Sequence, residues 1–175
     1  MDYAAAGRRL IFDPTIEEEK MAKTHRYSAL LTWTGAARGP TADYAGYSRE
    51  YDAQIAGKPT LKGSADPTFR GDPALHNPEE LLVVALSSCH MLSYLAECAM
   101  AKIAVVAYED AAEGTMAMAE GRVRFTEVVL RPRVRLAKGA DLARAEALHQ
   151  RAHDVCFIAN SVNFPVRHEA TVAFD

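Results

Sequence analysis

Cysteine is scarce: the 175 residues hold three, Cys89, Cys98 and Cys156. A small secreted fold built on disulfides uses a denser and even-numbered set, so these thiols do not staple the chain together. Neither sign of charge dominates. Twenty Lys and Arg against 23 Asp and Glu leave a net charge of −3, with the basic residues scattered along the chain. That leaves no electrostatic footprint for gripping phosphates and argues against a nucleic-acid partner. Long hydrophobic runs are missing as well. The longest wholly apolar stretch, Leu81 to Leu86, has six residues, against about 20 for a bilayer span. No basic segment followed by an apolar stretch opens the chain, so nothing reads as a targeting peptide. The expectation is a cytoplasmic protein with no membrane partner. Internal repeats, GxSxG, GxxxxGK and GxGxxG are also lacking, which removes the commonest hydrolase and nucleotide-binding signatures.

What is present is a chain that is 49% apolar and long enough to bury about 70% of its unfolded surface in one core. Residues 1–20, with the isolated cluster Leu10-Ile11-Phe12 and the charge run Glu17 to Lys20, read as an N-terminal extension. Residues 21–175 then form a single domain. Alternation predicts half-buried strands over Arg26–Thr34 and Tyr47–Ile55. In the second of these, Arg49 falls on the apolar side with Tyr47, Tyr51, Ala53 and Ile55, where an unpaired charge is costly. Gly57 to Asn77, interrupted at Gly57, Pro59, Gly63, Pro67, Gly71 and Pro73, reads as a long loop, and loops of that length inside a compact domain usually carry function.

Asn77-Pro78-Glu79-Glu80 places a capping residue, a proline at the first helical position and two carboxylates in the first turn, a strong helix start. The helix it opens is apolar on nearly every side and is expected to be central and buried. Strands follow over Ile103–Tyr108, Thr115–Ala119 and Arg122–Leu136, the last bent at Pro132. A second helix runs from Asp141 to about Val155, and a final strand covers Ala170–Phe174. Strands and helices in this order argue α+β, an antiparallel sheet wrapped on helices.

Cys89 lies mid-helix between Ser87-Ser88 and His90. A buried cysteine is ordinarily a small hydrophobe, so position alone does not make it reactive. Cys98, nine residues on, points to the opposite side of the helix and cannot share a site with Cys89. A zinc site from Cys89, His90, Cys156 and His153 has suitable donors, but Cys89 and His90 project about 100° apart and no CxxC pair is present. No metal is expected. These residues leave open a two-thiol redox pair.

Asn77-Pro78-Glu79-Glu80-Leu81-Leu82, followed by small and apolar residues and then Ser88-Cys89, resembles the osmotically inducible protein C and organic hydroperoxide resistance (OsmC/Ohr) family. There an N-P-E segment stands ten residues ahead of a peroxidatic cysteine on the central helix, and a second cysteine ends a later helix. Glu79 and Cys89 are ten apart here, Cys156 matches the second position, and the likeness extends from about Arg26 to the C-terminus. The resemblance implies an OsmC-like α+β fold with antiparallel sheets wrapped around central buried helices, in an intertwined homodimer. It implies a cysteine peroxidase that reduces organic hydroperoxides through a Cys89 sulfenic acid and a Cys89–Cys156 disulfide, with no cofactor and an external dithiol, such as a lipoyl group, as reductant. In the family an arginine held by a glutamate activates the thiolate. Glu79 fits the glutamate; Arg70 ranks first for the arginine, Arg49 second, and Arg38 after Thr32-Trp33-Thr34-Gly35 is the third candidate. The family commonly has proline after the second cysteine, whereas Phe157 follows Cys156.

Geometry adds a constraint. Ten residues of straight helix rise about 15 Å, so Glu79 cannot touch Cys89 in its own chain. It must act through a long arginine, across a bend, or from a second subunit.

Overall fold

The computed structural model describes residues 24–175. The expected extension over residues 1–20 lies outside the described residues, as do residues 21–23 of the expected domain. The core is built on helix α1, Pro78–Met100, and helix α2, Leu142–Asp154. α1 starts where the sequence predicts and closes a full capping box: the Glu80 N–H donates to Asn77 Oδ1 at 2.8 Å, and the Asn77 N–H donates to Glu80 Oε2 at 3.2 Å. Two amides that the helix cannot pair internally are thereby satisfied. Asn77→Ala is expected to cost about 1 kcal/mol of folding stability, read as a lowered urea midpoint at unchanged slope. α2 is capped by Asp141, whose carboxylate accepts from the Arg144 N–H.

Among the described residues nine strands form three sheets of three. β1 (Leu30–Trp33), β2 (Tyr51–Gln54) and β3 (Leu61–Gly63) make an antiparallel sheet in that order. β4 (Val105–Asp110), β7 (Pro132–Leu136) and β9 (Thr171–Phe174) make the second, with β7 central; β5 (Glu113–Ala119), β6 (Arg122–Leu130) and β8 (Val166–His168) make the third, with β6 central. The class is α+β as expected, but the last two sheets are mixed, because β8 runs parallel to β6 and β9 parallel to β7. The single bent strand expected over Arg122–Leu136 is two strands in different sheets. Only Arg131 separates them: its N–H donates to Asp110 Oδ1 at 2.7 Å, and its guanidinium reaches Glu113 at 3.0 Å and Glu169 at 3.3 Å. Proline at the first position of β7 suits a strand start, where its missing N–H removes no ladder bond.

α1 spans two cores. Tyr94 and Cys98 pack with Ala145 and Ala152 of α2 and Val134 and Leu136 of β7; Leu86 packs with Val128 and Leu130 of β6 and Val166 of β8. The buried residues Leu86, His90, Tyr94 and Cys98 recur every four residues and so form one stripe. The expectation of a helix buried all round is therefore corrected within one chain: Val84, Leu92 and Met100 stand exposed off the stripe. By length and mean hydropathy (1.5) α1 alone would pass for a membrane span, a test that core helices also pass.

The β1–β3 sheet stands apart from both cores. Neighbouring Leu30 and Leu31 point to opposite faces of β1, yet they are 62% and 63% exposed, so among the described residues nothing covers either face of this edge of the sheet.

Candidate functional site

Cys89 is on the middle turn of α1 and half-buried; Cys156 follows α2 by two residues and is buried. Packing of α2 against α1 brings the two near enough for the Cys89 thiol to act on that of Cys156. Both are free thiols. The loop after α2 is held around Cys156: its N–H bonds the His153 carbonyl at 3.2 Å, and its carbonyl accepts from the Asn160 N–H and from Asn160 Nδ2, each at 3.0 Å. Burial, ahead of the contact with Cys89, pushes the Cys156 thiol up to about 11. At neutral pH it stays protonated, which suits a thiol that condenses with an oxidised neighbour rather than one that attacks first. Cys98 is buried in the first core, away from this pair, and burial raises its thiol too.

Glu79 projects from the first turn of α1. Its Oε2 atom is buried and has no hydrogen-bond partner among the described residues, and its charge contributes, after burial, to raising the Tyr51 phenol. α1 runs unbroken from Pro78 to Met100, so the bend that could have carried Glu79 to its own Cys89 does not exist. A long arginine or a second subunit remains.

The three arginines sit as follows. Arg70 ends the short Pro67–Phe69 turn with φ 68° and an exposed side chain, and it makes no ion pair among the described residues. Arg49 folds back on its own neighbours: it donates to the Tyr47 and Tyr44 carbonyls and lies 3.7 Å from the Tyr47 ring centroid and 4.9 Å from that of Tyr44. It lies two residues before β2, which keeps only Tyr51–Gln54 of the strand expected over Tyr47–Ile55, and its charge is met by carbonyls and aromatic faces. Arg38 pairs with Glu50 at 2.8 Å. Within one chain, none of them engages Glu79.

Beside Glu79 opens a cavity of about 660 Å³, walled by Phe69, Val83, Met116, Val123 and Phe125 and edged by Asp66, Glu79, Glu80 and Glu113. Gly114 is needed in this wall, since a Cβ there would stand 2.7 Å from the Phe125 ring and 2.8 Å from Val83.

Comparison with known proteins settles what kind of fold carries these groups. The family model for OsmC-like protein matches residues 71–171. A solved OsmC-like protein of unknown function from Vibrio cholerae is 35% identical, with a TM-score of 0.78 over 85% of this chain and 100% of the other. The chain belongs to the OsmC-like family. Two further OsmC-like structures share the fold at lower identity. An OsmC-like protein from Mycoplasma pneumoniae is 11% identical (TM-score 0.68, 86% of this chain, 99% of the other). An organic hydroperoxide resistance protein from Elizabethkingia anophelis is 19% identical (TM-score 0.64, 89% and 100%). No curated protein matches this OsmC-like chain.

One grouping escapes the sequence reading, which weighs His90 and His153 only as zinc donors beside the cysteines and leaves His149 and His168 aside. His90 and His149, both buried, share a hydrogen bond between Nε2 and Nδ1 at 3.1 Å, with near-parallel rings 5.4 Å apart. His168 of β8 lies 5.5 Å from His90 and 5.9 Å from His149, and His153 lies 5.9 Å from His168. The His149 ring also stacks on Tyr94 at 3.9 Å. A signal was available: His149 and His153 are four apart on α2, as His90 and Tyr94 are on α1, and such pairs share a helix face. Among the described residues no three His, Cys, Asp or Glu side chains converge as metal ligands would.

Proposed function

We propose that this OsmC-like protein is a homodimeric thiol peroxidase that reduces organic hydroperoxides. The observation that carries the proposal is the juxtaposition of Cys89 with a buried, protonated Cys156. The Cys89 thiolate attacks the distal peroxide oxygen, the O–O bond breaks, and the alkoxide leaves as the alcohol after taking up a proton. Cys89 is then a sulfenic acid. Cys156 supplies its sulfur, an S–S bond forms and water departs. An external dithiol reduces that disulfide and is itself oxidised to a disulfide, which restores both thiols. The Elizabethkingia relative's designation as an organic hydroperoxide resistance protein supports the substrate class.

The dimer completes the site. Glu79 has an unpartnered buried oxygen about 15 Å along the helix from its own Cys89, and Arg70 is free of ion pairs among the described residues. The exposed leucines of β1 and the uncovered sides of α1 offer a second copy an apolar surface to cover. Arg70, with Arg49 ranked after it, is the arginine proposed to be oriented by Glu79 across that interface and to favour the Cys89 thiolate. Light scattering on the purified protein is expected to give twice the chain mass.

One equivalent of cumene hydroperoxide is expected to remove two hydrogens from the intact mass and yield a Cys89–Cys156 crosslinked peptide. The apolar cavity beside Glu79 favours a second reading, a non-enzymatic binder of apolar ligands or a redox-sensing protein. An unmodified mass after peroxide would select the binder over the enzyme.

A further inference from the structure

Four of the six histidines gather where α1, α2 and β8 meet, and the proposed chemistry uses none of them. Their hydrogen bonding is incomplete. Either tautomer of the His90–His149 bond makes one ring the donor and the other the acceptor, and leaves one of His90 Nδ1 and His149 Nε2 a buried orphan donor and the other a buried orphan acceptor; neither atom has a partner among the described residues. Such a pair is held by aromatic stacking and exclusion of water while both rings are neutral. One added proton goes to the orphan acceptor and makes a buried imidazolium that keeps the Nε2–Nδ1 bond but has other imidazoles as neighbours. A second added proton, one on each ring, sets two N–H donors face to face across 3.1 Å, with His168 and His153 close behind.

We propose that this cluster is an acid-sensitive latch, which pins the C-terminal half of α2 to α1 and β8 at neutral pH and releases it on acidification, uncovering Cys156. The linkage to Cys156 is direct in the chain: His149 and His153 lie on the last turns of α2, and the Cys156 N–H is bonded to the His153 carbonyl. The groups facing the pair mostly oppose protonation. From α2 come His149 and His153, and from β8 His168; only Asp110 of β4 favours a charged His90, and it already accepts from Ser87 Oγ and the Arg131 N–H. Glu146 faces Tyr94, and the Glu97–Arg151 pair crosses the helices at 3.5 Å with Arg151 exposed. Burial, then the neighbouring histidines, holds His90 down at about 4 and His149 at about 3, and His168 is lowered by burial as well.

The sign follows from the depressed folded values. Above the ordinary histidine value of about 6.5 both states carry neutral rings and the latch is at full strength. As pH falls from there toward 4, the open state takes up protons that the closed state refuses. Each of the two rings then shifts the equilibrium toward opening by up to about tenfold per pH unit. The role of this latch in peroxide turnover rests on the function proposed above; the opening itself does not.

The test uses the full chain carrying Cys89→Ser, so that Cys156 has no partner thiol, and 4,4′-dithiodipyridine, which labels thiols in acid. Cys156 labelling, normalised to a short cysteine peptide, is expected to rise at least tenfold between pH 7 and pH 5. Hydrogen exchange should show residues 149–156 losing protection while Leu86–Tyr94 keep theirs. Adding His90→Phe and His149→Phe, which keep the stacking and remove the titration, is expected to abolish the rise. A flat labelling ratio, an equal rise in the phenylalanine variant, or loss of protection in both helices together would overturn the latch. The exchange experiment needs no histidine substitution, so it decides the matter even where that variant fails to fold. None of these readouts involves peroxide, so a failed peroxidase assay leaves them standing and the reverse also holds.

Discussion

Replacing Cys89 by serine is expected to abolish hydroperoxide consumption with a dithiol reductant, by about three orders of magnitude or more in turnover. A serine hydroxyl is not ionised near neutral pH and is a far weaker nucleophile toward a peroxide than a thiolate. The variant is otherwise conservative, because Cys89 is half-buried and serine fits its volume. Cys98→Ser provides the contrast: that thiol lies in the first core, away from the pair, and turnover should be retained by the protein that folds. Cys156→Ser should consume about one equivalent of peroxide and then leave a Cys89 sulfenic acid that dimedone traps. Wild-type turnover in Cys89→Ser would sink the mechanism.

Leu86→Ala is expected to cost about 3 kcal/mol, within the range of about 2–5 kcal/mol for fully buried leucines. Leu86 has no solvent exposure and is the residue through which α1 grips Val128, Leu130 and Val166. Its removal leaves a cavity under the turn that precedes Cys89. With total stability commonly 5–15 kcal/mol, that is a large share, and urea unfolding should show it as a drop in midpoint. A change below about 1 kcal/mol would mean that the second core collapses around the gap.

Local signals in the sequence placed the helices and most strands well, because caps and periodicity act within a few residues. Asn77, Pro78 and Asp141 mark helix starts that the structure keeps, and Cys98 falls on the far side from Cys89 as helical geometry requires. What local signals cannot carry is which elements become neighbours. The three-residue strands Leu61–Gly63 and Val166–His168 are too short to show a period, and both were absent from the sequence reading. Missing the second hid the parallel pairing with β6 and the arrival of His168 beside His90. Leu130 and Pro132 read as one bent strand because the alternation of burial in β7 begins at once. The encounter of Cys89 with Cys156 came from family resemblance, since no spacing rule links positions on two helices. Alternation puts Arg49 on the apolar side of a strand that in the structure begins only at Tyr51, and its partners, the Tyr44 and Tyr47 carbonyls and rings, are local features that alternation does not encode.

The one-residue passage at Arg131 also limits how the length of this chain can vary. In β7 burial alternates, with Val134 and Leu136 inside and Arg133 and Arg135 outside. Side chains in a strand change face with every residue, so inserting or deleting a single residue beside Arg131 would turn both arginines inward and both apolar side chains outward, unless the register with β4 and β9 slipped to compensate. Insertions in the exposed turn around Gly57 would meet no such penalty. Natural length variation among related chains should therefore collect in the turns of the first sheet, and the Leu130–Pro132 junction should keep its count.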